Sequence, residues 1–229
     1  MSGSSESSFF SVITPTFNRA RTIRRAIMSM RSQTFDDWEY IIIDDGSTDD
    51  TFSAISDLLE SDPRITYHYS VNQGTSKARD LGCSLSHGRY FTFLDSDDEY
   101  LPNHLESRYN ILSHNPAIEL LHGGVEIVGD EFVADKFDTS KRVHLSECAI
   151  GGTFVIRRDL WKRIGGFGNI TYGDDIDFFS RAEDASAFIK KTDIPTYRYI
   201  RTEDDSLCNI AMKDGVEGIY KFRNAQRIS

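Results

Sequence analysis

Cysteine is scarce in this chain, and so are long apolar runs. Cys83, Cys148 and Cys208 lie far apart in 229 residues. An odd number of cysteines without a C-x-x-C pair indicates neither a disulfide framework nor a zinc site, and it favours a reducing compartment. No run approaches the roughly 20 apolar residues of a membrane-spanning helix, and the N-terminal M-S-G-S-S-E-S-S lacks the basic and apolar regions of a signal peptide. We predict a cytoplasmic protein, and peripheral membrane association stays open.

A basic excess is missing as well. The chain has 26 Lys and Arg residues against 36 Asp and Glu residues, which gives a formal net charge of -10. A nucleic-acid-binding protein would present a basic face, so we do not expect a nucleic-acid partner. The G-x-G-x-x-G fingerprint is absent too, which argues against a nicotinamide or flavin enzyme, and neither a G-x-x-x-x-G-K-[ST] loop nor a G-x-S-x-G elbow occurs.

Strands alternate with helices in the first hundred residues. The pattern predicts strands over 9–14, 38–44, 65–69 and 90–94, with three helices between them. Pro15 is expected to end the first strand, and Asn18 is a possible N-cap for a helix that runs to about Gln33. Such alternation implies right-handed crossovers and a parallel sheet with helices on its faces. Ligands in such sheets bind beyond the carboxyl ends of the strands, so the turns at Pro15, Asp45, Asn72 and Asp95 should meet at one crevice.

The second half of the chain has a less regular pattern. A helix should begin with Pro102 and end near Asn115, and a strand with a Gly-Gly interruption should span 118–128. We expect further strands over 153–156 and 197–200, and helices over 158–164 and from Asp174. Residues 129–146 are polar and give no prediction. Residues 1–8 are predicted to be a disordered tail, and residues 206–229 a weakly helical one.

The fourth strand leads directly into a cluster of acids, Asp95, Asp97 and Asp98. Residues two apart in an extended segment project to the same side, so Asp95 and Asp97 can present carboxylates together. Hard oxygen ligands suit Mg²⁺ or Mn²⁺ better than zinc. A solvated acidic turn is the alternative reading for a lone D-x-D. A calcium loop is excluded because Tyr100 stands where such loops need Gly.

A second acidic cluster lies in the first turn of the helix that opens at Asp174. The helix macrodipole favours acids there, and Asp177 can pair with Arg181 four residues later. Asp175 differs because Phe178 and Phe179, three and four residues on, turn its face toward the interior. A carboxylate in that position is a candidate general base.

One turn of the first half is cationic. It contains Asn72, Gly74, Lys77 and Arg79 at the start of the third predicted helix. A helix N-terminus with Gly and basic residues can hold phosphate, although solvation at the surface would explain the same residues.

Taken in order, these segments resemble the inverting family 2 glycosyltransferases with a GT-A fold. The resemblance runs from Phe9 to about Asn209, and it rests on S-V-I-T-P-T-F-N-R, I-I-I-D-D-G-S-T-D-D-T, N-Q-G-T-S-K-A-R-D, G-R-Y-F-T-F-L-D-S-D-D and G-D-D-I-D-F-F-S-R. It implies an α/β fold with a Rossmann-like, mostly parallel nucleotide-binding sheet and a smaller acceptor-side region. We therefore predict one domain over 9–229, with a nucleotide-sugar half over 9–98 and an acceptor half over 99–205.

The resemblance also implies a role for individual residues. It assigns the donor nucleotide to Pro15, Thr16, Asn18, Asp44, Asp45, Gly74, Lys77, Arg79, Asp95, Ser96 and Arg201. Within this set the first three would line the nucleoside pocket. Asp45, with Asp44 behind it, would read the base, usually uracil. Lys77 and Arg79 would lie near the ribose and phosphates.

The metal and the base are assigned in the same way. Asp97 would be the direct ligand of Mn²⁺ or Mg²⁺, with Asp95 as an auxiliary nearer the ribose, and Asp98 receives no role. The catalytic base would be Asp175, with Asp174 as the second choice. Many members carry a His beside the diphosphate near the end of the domain. This chain has Y-R-Y-I-R there, so Arg201 would replace it.

The implied activity is metal-dependent, inverting transfer of a sugar from a UDP-sugar to the hydroxyl of a glycan, a lipid-linked glycan or a glycoprotein. Acceptor choice would lie in 129–146 and 165–173. A metal-dependent nucleotidyltransferase is the enzyme alternative, but it usually needs a basic Gly-rich stretch after the first strand, which T-P-T-F-N-R lacks. A haloacid-type phosphatase carries its D-x-D on the first strand rather than the fourth. A sugar-nucleotide-binding protein without turnover is the remaining alternative.

Overall fold

The computed structural model describes residues 8–135, 138, 140–202, 210, 213–215, 217–219 and 221. Its strands are β1 (Phe10–Thr16), β2 (Trp38–Asp44), β3 (Ile65–Tyr69), β4 (Tyr90–Phe93), β5 (Glu99–Tyr100), β6 (Leu120–His122), β7 (Val125–Gly129), β8 (Phe132–Ala134), β9 (Arg142–His144), β10 (Val155–Arg157), β11 (Ile189–Lys191) and β12 (Tyr197–Arg201). Its helices are α1 (Ile23–Arg31), α2 (Ser56–Ser61), α3 (Thr75–Leu85), α4 (His104–His114), α5 (Arg158–Ile164) and α6 (Asp174–Asp184). The described residues from 210 onward are helical.

A seven-stranded sheet of order β11-β6-β10-β4-β1-β2-β3 forms the centre of the described structure. The first four strands of the chain are parallel neighbours, as the alternating pattern predicts. β10 then pairs antiparallel with both β4 and β6, and β11 runs parallel to β6. The predicted α/β fold with a mostly parallel sheet is therefore confirmed. The division into halves and the disordered N-terminal tail stay predictions, since residues 1–7 and much of 203–229 lie outside the described residues.

Apolar side chains on both faces of this sheet account for its burial. Val12 and Ile13 are neighbours in β1, and they belong to different hydrophobic clusters on opposite faces. Val12 packs with residues that include Ile27 of α1, whereas Ile13 packs with residues that include Phe178 of α6. The near-continuous apolar runs of β1 and β2 are explained by this two-sided burial.

Pro15 does not end β1, contrary to the prediction. The strand continues to Thr16, and Pro15 stands in register with Ile43 of β2. The Ile13 carbonyl accepts the Leu94 amide, so the backbone polar groups of residue 13 point toward β4. Those of residue 15 point the same way, because alternate residues of a strand share a side. The pairing of β1 with β4 ends at Ile13, so an N–H at position 15 would have no partner in β4. A proline, which lacks this N–H, therefore costs the sheet no hydrogen bond.

Two predicted helix starts are wrong. α1 begins at Ile23 with Thr22 as its N-cap residue, and Asn18 has a left-handed φ of 52°. The Asn18 side chain instead accepts the Thr48 amide (2.8 Å) in the turn after β2. α4 begins at His104 after Asn103, so Pro102 precedes the helix rather than opening it.

The predicted strand over 118–128 is two strands in different sheets. Gly123 and Gly124 have φ values of +88° and +73°, and they redirect the chain from β6 in the central sheet to β7. β7 pairs parallel with β12, which also pairs with β5 in a three-stranded sheet. The strand expected over 153–156 is shifted to β10, and a 3-10 turn over Gly151–Thr153 precedes it. Residues 129–146, which gave no prediction, contain the antiparallel β8–β9 hairpin.

None of the helices in the described ranges is both long enough and apolar enough to cross a lipid bilayer.

The contact between α3 and β1 gives a stability prediction. A Cβ atom on Gly82 would lie 2.4 Å from Cγ2 of Ile13, which is fully buried. We expect Gly82→Ala to lower the free energy of unfolding by about 1–3 kcal/mol, because overpacking outweighs the helix propensity gained. Urea denaturation measures the change.

Two matched variants separate the effect of overpacking from the effect of helix propensity. Ser84→Ala, on the exposed side of the same helix, should stay within about 0.5 kcal/mol of the wild type. Ile13→Ala removes the Cγ2 atom that the added methyl group meets, so the double variant with Gly82→Ala should lose less stability than the sum of the two single variants. An unchanged midpoint for Gly82→Ala alone would contradict the packing described here.

Candidate active site

A cavity of about 610 Å³ lies beyond the carboxyl ends of β1, β2 and β4. Most of the predicted site residues border it: Pro15, Thr16, Asp45, Arg79, Asp95, Ser96, Asp97, Asp174, Asp175 and Arg201. Segments from distant parts of the chain thus meet at the edge of the sheet where the strand pattern predicts a ligand crevice.

The remaining predicted residues lie beside this cavity rather than on its wall. Asp44 accepts the Ser47 amide (2.7 Å) and the Tyr67 hydroxyl, and Asn18 accepts the Thr48 amide, so both shape the turn after β2. Gly74 precedes α3 with a φ of +98°. Lys77 borders a neighbouring cavity of about 580 Å³ that shares Asp45 with the first.

Asp45 joins β2 to the start of α3. Its two carboxylate oxygens accept the amides of Gln73 (2.8 Å) and Gly74 (2.7 Å), and its side chain is buried. A carboxylate at a helix N-terminus is stabilised by the unpaired amides there. The turn after β3 is therefore held against the turn after β2.

The D-x-D carboxylates remain partly accessible from the cavity. The side chains of Asp95 and Asp97 are 30% and 18% exposed, and Arg19 Nε lies 4.0 Å from Asp97 Oδ2. No group of three or more His, Cys, Asp or Glu residues that could hold a metal occurs in the described ranges. Two hard oxygen donors beside an open cavity fit Mg²⁺ or Mn²⁺, which bind one or two carboxylates together with substrate phosphates. They do not fit zinc or an all-protein calcium cage.

A buried arginine connects the two acidic clusters. Arg79, on α3, donates to Asp95 Oδ1 (3.0 Å) and to Asp174 Oδ2 (2.8 Å), and its side chain is 6% exposed. Its guanidinium also lies against the rings of Phe93 and Phe167. Because two acids share one buried cation, the loop after β4 and the start of α6 are held at a set distance.

Asp175 has the properties expected of a general base. Its Oδ2 accepts the Gly151 amide (3.1 Å) and its Oδ1 accepts the Ile176 amide (2.8 Å). Burial and the adjacent Asp174 carboxylate raise the pKa of Asp175 to about 6, although Arg79 opposes the rise. Asp174 is occupied by its ion pair with Arg79, which leaves Asp175 as the better candidate. The predicted pair of Asp177 with Arg181 is present at 2.8 Å.

The structure gives Asp98 and Tyr197 a structural role that the sequence analysis did not predict. Asp98 is fully buried, and it accepts the Tyr197 hydroxyl at Oδ2 (2.6 Å) and the Ile200 amide at Oδ1 (2.7 Å). The Asp95 amide donates in turn to the Tyr197 hydroxyl oxygen (3.4 Å). Burial and the neighbouring carboxylates raise the pKa of Asp98. This acid therefore attaches β12 to the D-x-D loop.

Tyr197 also explains one glycine of the cavity wall. A Cβ on Gly152 would lie 2.2 Å from the Tyr197 hydroxyl oxygen, so only glycine fits there. The amide of the preceding Gly151 holds Asp175. The D-x-D loop and the Gly151–Gly152 turn, which donates to Asp175, thus both contact Tyr197.

Arg201 lies at the end of β12 and borders the cavity. Its guanidinium donates to the backbone carbonyls of Asp130 (3.0 Å) and Phe132, next to the β8–β9 hairpin. The hairpin side of the cavity carries apolar residues, among them Val133, Val143 and Leu145. Thr171 and Gly173 border the cavity as well, so parts of both predicted acceptor segments lie on its wall.

Comparison with known families gives one clear match. The model described as Glycosyl transferase family 2 matches residues 11–165. A relative from Escherichia coli, named UDP-Glc:alpha-D-GlcNAc-diphosphoundecaprenol beta-1,3-glucosyltransferase WfgD, is 30% identical over 151 residues, which are 64% of this chain and 58% of that protein.

Solved structures share the fold. S. aureus TarS 1-349 in complex with UDP-GlcNAc superposes with a TM-score of 0.68 at 21% identity, over 85% of this chain and 59% of that one. The mannosyltransferase PcManGT from Pyrobaculum calidifontis, in complex with GDP-Man and Mn²⁺, gives a TM-score of 0.69 at 19% identity, over 89% of this chain and 59% of that one. The chain thus spans less than two thirds of the length of each of these proteins.

The buried bridge gives the second prediction. Arg79→Met should lower the free energy of unfolding by about 3–5 kcal/mol, because it leaves two carboxylates near each other without their cation. Arg79→Lys keeps the charge but loses the forked geometry, so its loss should be smaller. Arg21→Met, at an exposed position, is the control and should change stability little. If Arg79→Met were as stable as this control, the bridge would not hold the site together.

Proposed function

The chain belongs to the family 2 glycosyltransferases, and on that premise we propose that it transfers a sugar from a nucleoside-diphosphate sugar to an acceptor hydroxyl. The observation that carries the proposal is the single cavity bordered by both Asp97 and Asp175. One carboxylate suits a cation that accompanies a diphosphate, and the other suits a base. A transferase of this kind needs both beside the same substrate.

UDP is the nucleotide that we propose for the donor. The E. coli relative is named as a UDP-Glc enzyme and TarS is solved with UDP-GlcNAc, which supports this choice over the GDP-Man of the archaeal neighbour. On this chain, Thr16 and Asp45 border the cavity beside β1 and β2. Thr16 Oγ1 is buried without a hydrogen-bond partner in the described structure, so it can receive one from a nucleoside.

The proposed metal is Mn²⁺ or Mg²⁺, held by Asp97 with Asp95 as an auxiliary. When bound, such a cation neutralises the negative charge that develops on a leaving diphosphate. The Mn²⁺ in the complex of the mannosyltransferase neighbour supports this assignment. Arg201 is the cation that we assign to the diphosphate in place of the histidine found in many family members.

The proposed reaction is a single displacement. Asp175 accepts the proton of the acceptor hydroxyl, and the hydroxyl oxygen bonds to the anomeric carbon of the donor sugar. The bond from that carbon to the diphosphate oxygen breaks, and its electron pair leaves with the diphosphate. Attack from the face opposite the leaving group inverts the anomeric configuration. A pKa near 6 suits this role because Asp175 is then ionised at neutral pH and still basic.

For the acceptor we propose a lipid-linked glycan. The E. coli relative is named for an acceptor of this kind. The apolar wall formed by Val133, Ala134, Val143 and Leu145 also supports an acceptor with apolar parts. Such an acceptor would bring a cytoplasmic enzyme to the membrane surface and place it in glycoconjugate or polysaccharide synthesis.

The assignment of the base predicts a loss of turnover without a loss of donor binding. Asp175→Asn should lower kcat about 10²- to 10⁴-fold, because the acceptor hydroxyl keeps its proton, while the Kd of UDP stays unchanged. The wild-type rate should rise as the pH rises through about 6, since the base must be deprotonated.

Asp177→Asn is the matched control, in the same helical turn and paired with Arg181. Steady-state kinetics with a UDP-sugar give kcat, and calorimetric titration of UDP gives its Kd. A kcat for Asp175→Asn within threefold of that of Asp177→Asn would show that the base is another residue. Normal UDP binding without turnover by any variant, the wild type included, would favour the non-catalytic alternative.

The metal assignment predicts a change in thermal stability. UDP with Mn²⁺ at 100 times the Kd should stabilise the wild type by about 2.7 kcal/mol, seen as a rise in Tm. Asp97→Asn should lose the part of this rise that depends on Mn²⁺ and keep the part due to UDP alone. Asp50→Asn, an exposed acid in the turn after β2, should behave as the wild type. If Asp97→Asn kept the Mn²⁺-dependent rise in Tm, Asp97 would not be the metal ligand.

A further inference from the structure

Two basic side chains stand together on a part of the cavity wall that the proposed donor and metal sites do not use. His122 ends β6 and Lys191 ends β11, and the two residues are partners in the parallel register of these strands. Both border the same cavity as Asp97 and Asp175. Two sequence segments about seventy residues apart therefore present basic groups side by side.

Lys191 differs from the other cations on this wall. Arg19 lies beside Asp97, Arg79 bridges Asp95 and Asp174, and Arg201 donates to backbone carbonyls. The Lys191 side chain makes neither an ion pair nor a hydrogen bond within the described part of the chain. Its methylene groups lie close to Gly123, where an added Cβ would be 3.1 Å from Lys191 Cγ. A positioned stem with an uncompensated ammonium group suits an anion from outside the protein.

His122 adds a second donor. Its ring packs edge-on against Phe179 at 5.0 Å between centroids, and neither ring nitrogen bonds to another described residue. Burial and the neighbouring Lys191 lower the pKa of His122, so the ring is neutral at neutral pH. A neutral imidazole still offers one N–H to an acceptor oxygen.

The position of this pair relative to the base indicates what it would bind. Phe179 follows Asp175 by four residues on α6, which is a rise of about 6 Å along the helix. His122 packs on Phe179, and both residues border the cavity that Asp175 borders. An acceptor sugar with its hydroxyl at Asp175 would reach this pair with a substituent on the other side of its ring.

We propose that His122 and Lys191 form a subsite for a phosphate or diphosphate group carried by the acceptor. The inference rests on the proposed function, because it takes Asp175 as the position of the acceptor hydroxyl. Asp175 repels an anion brought this close, and Arg79 is already shared by Asp95 and Asp174, so an acceptor with such a group needs further positive charge. Lys191 supplies that charge, and charge-assisted hydrogen bonds fix the orientation of the acceptor.

The test uses octyl diphosphate, a probe that carries the anionic group without a sugar. The protein is first saturated with UDP and Mn²⁺, so that the donor diphosphate site is filled, and the probe is then titrated by calorimetry. We expect Lys191→Gln to raise the Kd of the probe about tenfold and His122→Gln to raise it about threefold. Lys190→Gln is the matched control, because Lys190 is exposed on the same strand and does not border the cavity.

The outcomes separate this subsite from the proposed function. Equal Kd values for Lys191→Gln and Lys190→Gln, or no binding of octyl diphosphate to the UDP-saturated wild type, would overturn the subsite. A change in the Kd of UDP for Lys191→Gln would assign the lysine to the donor and overturn it as well. If UDP itself does not bind, the proposed function fails, and the same comparison of the two lysine variants without nucleotide still decides the subsite.

Discussion

The active-site architecture depends on one buried cation. Arg79 bridges Asp95, after the fourth strand, and Asp174, at the start of α6, at 3.0 and 2.8 Å. A buried guanidinium without partners is strongly unfavourable, so the fold has to bring both acids to it. Asp175 follows Asp174 directly, and the position of the proposed base is therefore set by the same ion pair that positions the proposed metal loop. If either acidic cluster moved alone, this buried guanidinium would lose one of its two ion pairs.

The electrostatics of the cavity follow from this arrangement. Asp174 pairs directly with the arginine, whereas burial and the Asp174 carboxylate together outweigh the effect of Arg79 on Asp175, whose pKa rises to about 6. A carboxylate that is costly to ionise in the folded state is a reactive base, so stability is given up where the chemistry needs it. The chain as a whole has a net charge of -10. A donor diphosphate therefore needs a local excess of positive charge, which a cation on Asp97 and the side chain of Arg201 can provide.

Sequence patterns predicted the parts of the structure that are encoded locally. Strand and helix alternation gave the parallel sheet, and the rule that ligands lie beyond strand ends gave the crevice. Hydrogen bonds between residues far apart in the sequence could not be predicted. Nothing in the spacing connects Asp98 with Tyr197, which are 99 residues apart, because their hydrogen bond depends on how β12 joins a separate sheet. The bend at Gly123 and Gly124 was noticed as an interruption, but only tertiary contacts show that it sends the two strands into different sheets.

The central claim is that Asp97 and Asp175 serve one substrate from one cavity, with the cation on Asp97. Anomalous diffraction from crystals grown with UDP and Mn²⁺, measured at the manganese edge, tests it most directly. The account predicts an anomalous peak within bonding distance of the Asp97 carboxylate, with the UDP diphosphate beside it and Asp175 bordering the same cavity without contact to the metal. A peak at other acids, such as Asp49 and Asp50, or UDP in the neighbouring cavity beside Lys77, would contradict it.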